Sequence, residues 1–287
     1  MTRITNVLAV LAIFAVTAAT AQAGAIWSPG APGGTPGGSL EFDNGASGAG
    51  TFLDTNIPAS AVGGNRNSGG SDYTISLWLN SDVDLSSGTQ AWFLGTGDQG
   101  LHLGVRDNTL SQGHWGADSD GTTEIVADTW FHTTFAYDAD GGSAGTGEQR
   151  IYVNGVLEGT EDNIAANRDA TNILLGARNN GNNGPQWDGQ LDDVAFWNTA
   201  LSDADIAAIA AGASPTEFNA AVYYDFEDDQ MGTIAVNTGT TGAFTSGLLG
   251  SGDFSLTGIT AIPEPSSLVL SIFMGLGLLS FARRKRN

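Results

Sequence analysis

Apolar side chains recur at every second residue of this chain, in runs too short for helices, and the runs are separated by glycine, asparagine and aspartate. In the segment 73–79, Tyr73, Ile75, Leu77 and Leu79 alternate with Thr74, Ser76 and Trp78. Successive side chains of an extended strand point to opposite faces, so such a run presents one apolar face to a core. Strands are predicted on this basis at 39–43, 73–79, 91–94, 101–105, 123–126, 130–137, 149–153, 173–176, 191–197 and 221–226. Asn154-Gly155 signals a two-residue hairpin, because both residues tolerate the positive φ of a type I′ turn. The 41 glycines have no collagen-like period and cluster between the runs, where a many-stranded antiparallel protein turns. One helix interrupts: Ser202 caps it, Asp205 completes a capping pattern, and 206–211 ends at Gly212 with Pro215 beyond. Its length and alanine content predict a mere connector. The pattern as a whole predicts an all-β sandwich.

Both ends carry membrane-directed patterns. Arg3, the apolar stretch 7–16 and Ala21-Gln22-Ala23 form a signal-peptide pattern over residues 1–23, with Gly24 as the mature start. At the other end Pro263-Glu264-Pro265 precedes a largely apolar block of 17 residues (266–282) and the basic run Arg283-Arg284-Lys285-Arg286. Each proline stiffens the chain, a 17-residue block sits at the short end of a bilayer span, and the basic run favours the cytoplasmic side. This order resembles the PEP-CTERM sorting signal of bacteria. The resemblance implies an exosortase as processing partner, membrane attachment through the C-terminal helix before cleavage, and a location at the cell envelope or outside the cell. An ordinary tail anchor is the plainer alternative.

Between these ends, residues 24–38 read as a flexible Gly/Pro leader, 39–230 as the folded domain and 231–262 as a Gly/Thr/Ser spacer. The whole chain carries a net charge of −21; trimming both ends leaves five arginines (Arg66, Arg106, Arg150, Arg168, Arg178) against 30 acids. Such a surface repels nucleic acid and anionic lipid, and suits hard cations. There is no cysteine, which excludes disulfides and Cys-ligated zinc, and the three histidines (His102, His114, His132) form no close pair.

Three fragments name a family resemblance. They are Asp72-Tyr-Thr-Ile-Ser-Leu-Trp-Leu79; then Trp130-Phe-His-Thr-Thr-Phe-Ala-Tyr-Asp138 with Arg150-Ile-Tyr-Val-Asn-Gly155; then Ile173-Leu-Leu-Gly176 with Trp187-Asp-Gly-Gln-Leu-Asp-Asp-Val-Ala-Phe-Trp197 and Ala200-Leu-Ser-Asp-Ala-Asp-Ile206. In this order, over residues 39–212, they resemble the laminin-G-like member of the concanavalin A-like jelly rolls. The run Tyr223-Tyr-Asp-Phe-Glu-Asp-Asp229 is similar to the opening of another such domain, and reads either as a closing strand or as a truncated repeat.

The resemblance implies a calcium ion tying the first strand to a late one, with Asp43 and Asp192 as carboxylate ligands and Asp193 in reserve. The simpler alternative is that Asp43 precedes a turn and Asp192 accepts backbone hydrogen bonds. The related glucanases use an E-x-D-x-x-E strand. Here Glu41-Phe-Asp43 is followed by Ala46, so the third carboxylate is missing, and no Gly-x-Ser-x-Gly elbow occurs. The runs 118–121 and 138–141 imitate the start of a calcium loop without completing it, and read as turns. For saccharide binding the candidates are Trp115, Trp92 and the loop Arg178-Asn179-Asn180-Gly-Asn-Asn-Gly-Pro185, since sugar C–H faces stack on aromatic rings and amides bond hydroxyls. The functional expectation is non-catalytic recognition or adhesion, with extracellular polysaccharide as partner. A purely structural matrix protein and a glycan hydrolase or lyase are the alternatives.

Overall fold

The computed structural model describes residues 25–29, 31, 38–42, 44, 52–59, 71–86, 88–96, 100–114, 118–162, 164, 172–178 and 186–226. In chain order the first strands are β1 (Ala25–Pro29), β2 (Gly38–Phe42), β3 (Leu53–Pro58), β4 (Tyr73–Ser81), β5 (Gln90–Thr96), β6 (His102–Arg106), β7 (Thr109–Gly113) and β8 (Asp118–Asp120). Then come β9 (Trp130–Asp138), β10 (Glu148–Val153), β11 (Val156–Asp162), β12 (Asn172–Leu175), β13 (Gly189–Trp197), helix α1 (Asp203–Ala210) and β14 (Val222–Tyr224).

They form two antiparallel sheets. The large sheet has the order β1-β2-β13-β4-β9-β10-β11, with β14 also on β13; the small sheet has the order β3-β12-β5-β6-β7-β8. Neighbours such as β2 and β13 are distant in sequence, as a jelly roll requires. The alternation read from the sequence is the one used. Tyr73, Ile75, Leu77 and Leu79 are fully buried in the inter-sheet core, where Phe93 of the small sheet meets Phe135 and Trp187 at 5.9 and 5.4 Å. Edge-to-face and tilted ring pairs at these separations add roughly 0.5–1.5 kcal/mol each beyond area burial. Asn154 and Gly155 both have positive φ and close the β10–β11 hairpin as expected. A second such turn, Asp107-Asn108 with φ of 51° and 64°, closes β6–β7.

Four expectations are corrected. Residues 123–126 are not a strand; β8 at 118–120 takes the edge position beside β7 instead, so the run 118–121 is not a turn. Part of the leader, β1, pairs in register with β2, and the sheet therefore begins before residue 39. Helix α1 is capped by Ser202 as predicted, but it is more than a connector. Its Ile206 and Ile209 cover Tyr152, Ala195, Trp197 and Tyr223 on the outer face of the large sheet, forming a second apolar cluster. Asp203, at the helix start, accepts from Arg150 (2.9 Å) and Tyr152 (2.7 Å), which pins the helix to β10. Desolvation and the hydrogen bond to Asp203 push the Tyr152 phenol well above its usual range.

Candidate functional site

The outer faces of the two sheets are built differently. In the small sheet, strand alternation sends Phe93 into the core and Trp92 to the opposite face, outside both apolar clusters. The β5–β6 register sets Trp92 opposite Gly104 and Gln90 opposite Arg106; the β6–β7 register sets Gly104 opposite Ser111 and His102 opposite Gly113. Asp118 follows on β8, opposite Gly113. One face therefore gathers Trp92, His102, Arg106 and Asp118.

Two glycines make room for the rings. A Cβ at Gly104 would lie 2.4 Å from the Ala91 carbonyl oxygen and 2.5 Å from Trp92 Cε3, so the indole lies directly on the β6 backbone. A Cβ at Gly113 would lie 2.1 Å from His102 Nε2. Glycine inside a strand loses packing and entropy, and here that cost permits close approach of a ring to backbone. His102 meets Trp92 edge-on at 4.7 Å.

Two guanidinium groups flank the indole. The Arg106 Cζ is 5.7 Å and the Arg178 Cζ 5.4 Å from the ring centroid, within cation–π range. Arg106 also pairs with Asp118 at 2.8 Å, and Asp118 stands 3.8 Å from His102. Desolvation, and after it the positive charge of Arg106, lower the pKa of Arg178. Two donors at the centre, Trp92 Nε1 and Arg106 Nε, are buried without a hydrogen-bond partner among the described residues. The acceptor Gln186 Oε1 is in the same position, on the residue whose backbone bridges to Trp92.

The structure thus joins two residues of the sequence expectation, Trp92 and Arg178, and corrects the role of the first. Trp92 is 1% exposed, so it is a floor beneath two arginines and not an open stacking platform. Trp115, Asn179 and Asn180 lie outside the described residues, as do Asp43, the signal peptide and the sorting residues Pro263, Glu264, Pro265, Arg283, Arg284, Lys285 and Arg286. His102, Arg106 and Asp118 were missed as site residues. The legible signal was the Asp107-Asn108 turn, which makes 102–113 a hairpin and sets His102 and Arg106 on one face.

Asp192 and Asp193 are buried and sit in a bulge of β13, Asp193 with φ of 49°. Asp192 accepts from the backbone N–H of Ala31 (2.7 Å) and of Asp193 (2.8 Å); Asp193 accepts from the Tyr223 hydroxyl. The first strand is tied to the late strand by direct hydrogen bonds. Asn44 donates its backbone N–H to Asp188 (3.0 Å) and its side-chain amide to the Trp187 carbonyl (2.6 Å). Among the described residues no three His, Asp or Glu side chains converge on a common point suited to a metal ion.

One hydroxyl–imidazole pair has the outline of a nucleophile and base. Ser76 Oγ is 2.9 Å from His132 Nε2. Both are buried, and burial lowers the His132 pKa to about 3. An imidazole that weakly basic does not take a serine proton, and its Nδ1 has no orienting acceptor among the described residues. The pair is packing, edge-on to Trp78 at 5.2 Å.

Among the described residues no helix is long and apolar enough to cross a membrane. Residues 54–207, more than half of the chain, match the family model Laminin_G_3, described as the concanavalin A-like lectin/glucanases superfamily. No curated protein matches the sequence. Among solved structures, the chain is similar to a candidate carbohydrate-binding protein from Bacteroides ovatus, with 19% identity and a TM-score of 0.52, over 65% of this chain and 53% of that one. It therefore spans about half of that relative's length. It is also similar to the SAP-like pentraxin of Limulus polyphemus (17% identity, TM-score 0.47, covering 62% and 84% of the two chains). A third likeness is the CBM40 of the Ruminococcus gnavus IT-sialidase, solved with α2,3-sialyllactose (14% identity, TM-score 0.46, covering 60% and 96%).

Proposed function

This chain belongs to the concanavalin A-like lectin/glucanases superfamily, and on that premise we propose that it is a non-catalytic module that binds extracellular polysaccharide through the outer face of its small sheet. The observation that carries the reading is the contrast at Trp92. An aromatic floor flanked by two partly buried arginines keeps polar atoms that no described residue satisfies, and buried polar groups without partners are uncommon in folded proteins. Saccharides supply both acceptors and donors for such a surface. The fold-level likeness to a candidate carbohydrate-binding protein supports the same class. Titration of the full chain and of Trp92→Ala against a polysaccharide panel tests it. Binding that W92A weakens at least tenfold, in a variant that still unfolds cooperatively, is expected. Equal binding by W92A would remove this face from the reading.

Trp115, Asn179 and Asn180 enter the proposal as further sugar contacts, each tested by alanine substitution in the same titration. Calcium enters it as a structural ion at the β2–β13 junction, held by Asp43 and Asp192 with Asp193 beside them. Chelation should then lower the melting temperature and leave glycan affinity unchanged. We further propose export through the N-terminal signal and processing by an exosortase near 263–265. Mass spectrometry of the protein recovered from cells would then find neither 1–23 nor the basic C-terminus.

A further inference from the structure

We infer that the sugar recognised at the Trp92 face is acidic, carrying a carboxylate or a sulfate ester. This inference rests on the recognition reading above and adds the charge of the ligand. After both ends are trimmed the chain keeps five arginines against 30 acids, and two of the five stand within 6 Å of one indole. Placing two cations together carries a mutual repulsion that an anion relieves, and Asp118 already relieves part of it on Arg106. A guanidinium presents a planar fork that matches carboxylate and sulfate oxygens, and its charged donors form stronger bonds than neutral ones. The buried donors Trp92 Nε1 and Arg106 Nε call for acceptors, while Gln186 Oε1 calls for a hydroxyl. One ligand residue bearing both an anionic group and hydroxyls, such as a uronate or a sulfated hexose, meets all three demands. An inorganic anion meets only the first two. The surrounding charge of −21 disfavours general adsorption of polyanions, so any that bind must do so at a local cationic spot.

The test is titration of the full chain with two matched pairs of probes: polygalacturonate against its methyl ester, and dextran sulfate against dextran. The pairs separate carboxylate from sulfate. The expected result is at least a tenfold preference for the charged member of one pair. Arg178→Gln and Arg106→Gln should abolish that preference, and Arg178→Lys should keep part of it. Arg150→Gln, which removes a cation near α1, should leave it intact. Asp118→Asn is expected to raise affinity for the acidic probe about threefold, since it removes the internal competitor for Arg106; a purely structural arginine cluster would give no such gain. Equal affinity for charged and neutral probes, insensitive to R178Q, would overturn the acidic inference and leave saccharide recognition standing. Absence of binding to all four probes and to the wider panel would overturn both.

Discussion

The two outer faces of this sandwich each present a tryptophan, and they treat it in opposite ways. On the large sheet, Trp197 lies under α1 against Ile206 and Tyr223, and its indole N–H donates to the Phe218 carbonyl at 3.0 Å. On the small sheet, no helix among the described residues covers Trp92, two arginines stand beside it, and its indole N–H has no partner among the described residues. Burial is the same, 1% exposure in each case. What differs is satisfaction. The fold supplies the Trp197 indole N–H with an acceptor, and no described residue supplies one to the Trp92 indole N–H, which is the difference the recognition proposal rests on.

Truncating the covered ring should have the largest effect. Trp197→Ala is expected to cost about 3–5 kcal/mol in urea unfolding, while the folded fraction keeps its saccharide affinity. A loss of affinity equal to that of W92A would erase the distinction between the faces. Gly104→Ala comes next, at up to about 3 kcal/mol, because its Cβ must displace backbone oxygen and the Trp92 ring together. Unlike W197A, it should remove binding as well as stability.

The third prediction uses pH. His132 on the covered face has a folded pKa of about 3 against an unfolded value of 6.5. Below pH 6.5 the unfolded chain binds a proton that the folded chain refuses, so stability falls as pH drops towards 3. The loss from this group is about 2 kcal/mol at pH 5. His132→Gln should flatten the stability profile between pH 6.5 and 4; an unchanged slope would show that His132 is protonated in the fold. The smallest and sharpest test is a pair. Trp197→Phe and Trp92→Phe remove similar volume, but only the first breaks a hydrogen bond. W197F should therefore be less stable than W92F by about 1 kcal/mol, and W92F should be the one that loses affinity.

How legible these faces were from the chain differs in the same way. The covered face could be anticipated in part: Ser202, Asp205 and Gly212 announced the helix, and Trp197 closed an alternating strand. That the helix would cover Trp197 was not legible, because eight residues with two isoleucines carry little amphipathic signal by themselves. On the open face, Trp92 and the loop beginning at Arg178 were singled out for their composition. Arg106, His102 and Asp118 were not, since alternation places each on a face without saying which strand lies beside it.

The amino-acid order determined the local choices. Period-two apolar runs made strands, Asn154-Gly155 made a hairpin, and missing carboxylate and nucleophile motifs left no catalytic signature to read. Steric limits on φ and the two-sided geometry of a strand act over a few residues, so a few residues suffice to read them. The order of strands in each sheet, the pairing of β1 with β2, and the meeting of Arg106 with Arg178 over Trp92 were decided only by the tertiary fold. Arg106 and Arg178 stand 14 and 86 positions from Trp92 in the sequence, and burial of the common core selected the strand pairing that joins them over every other the same strands allow.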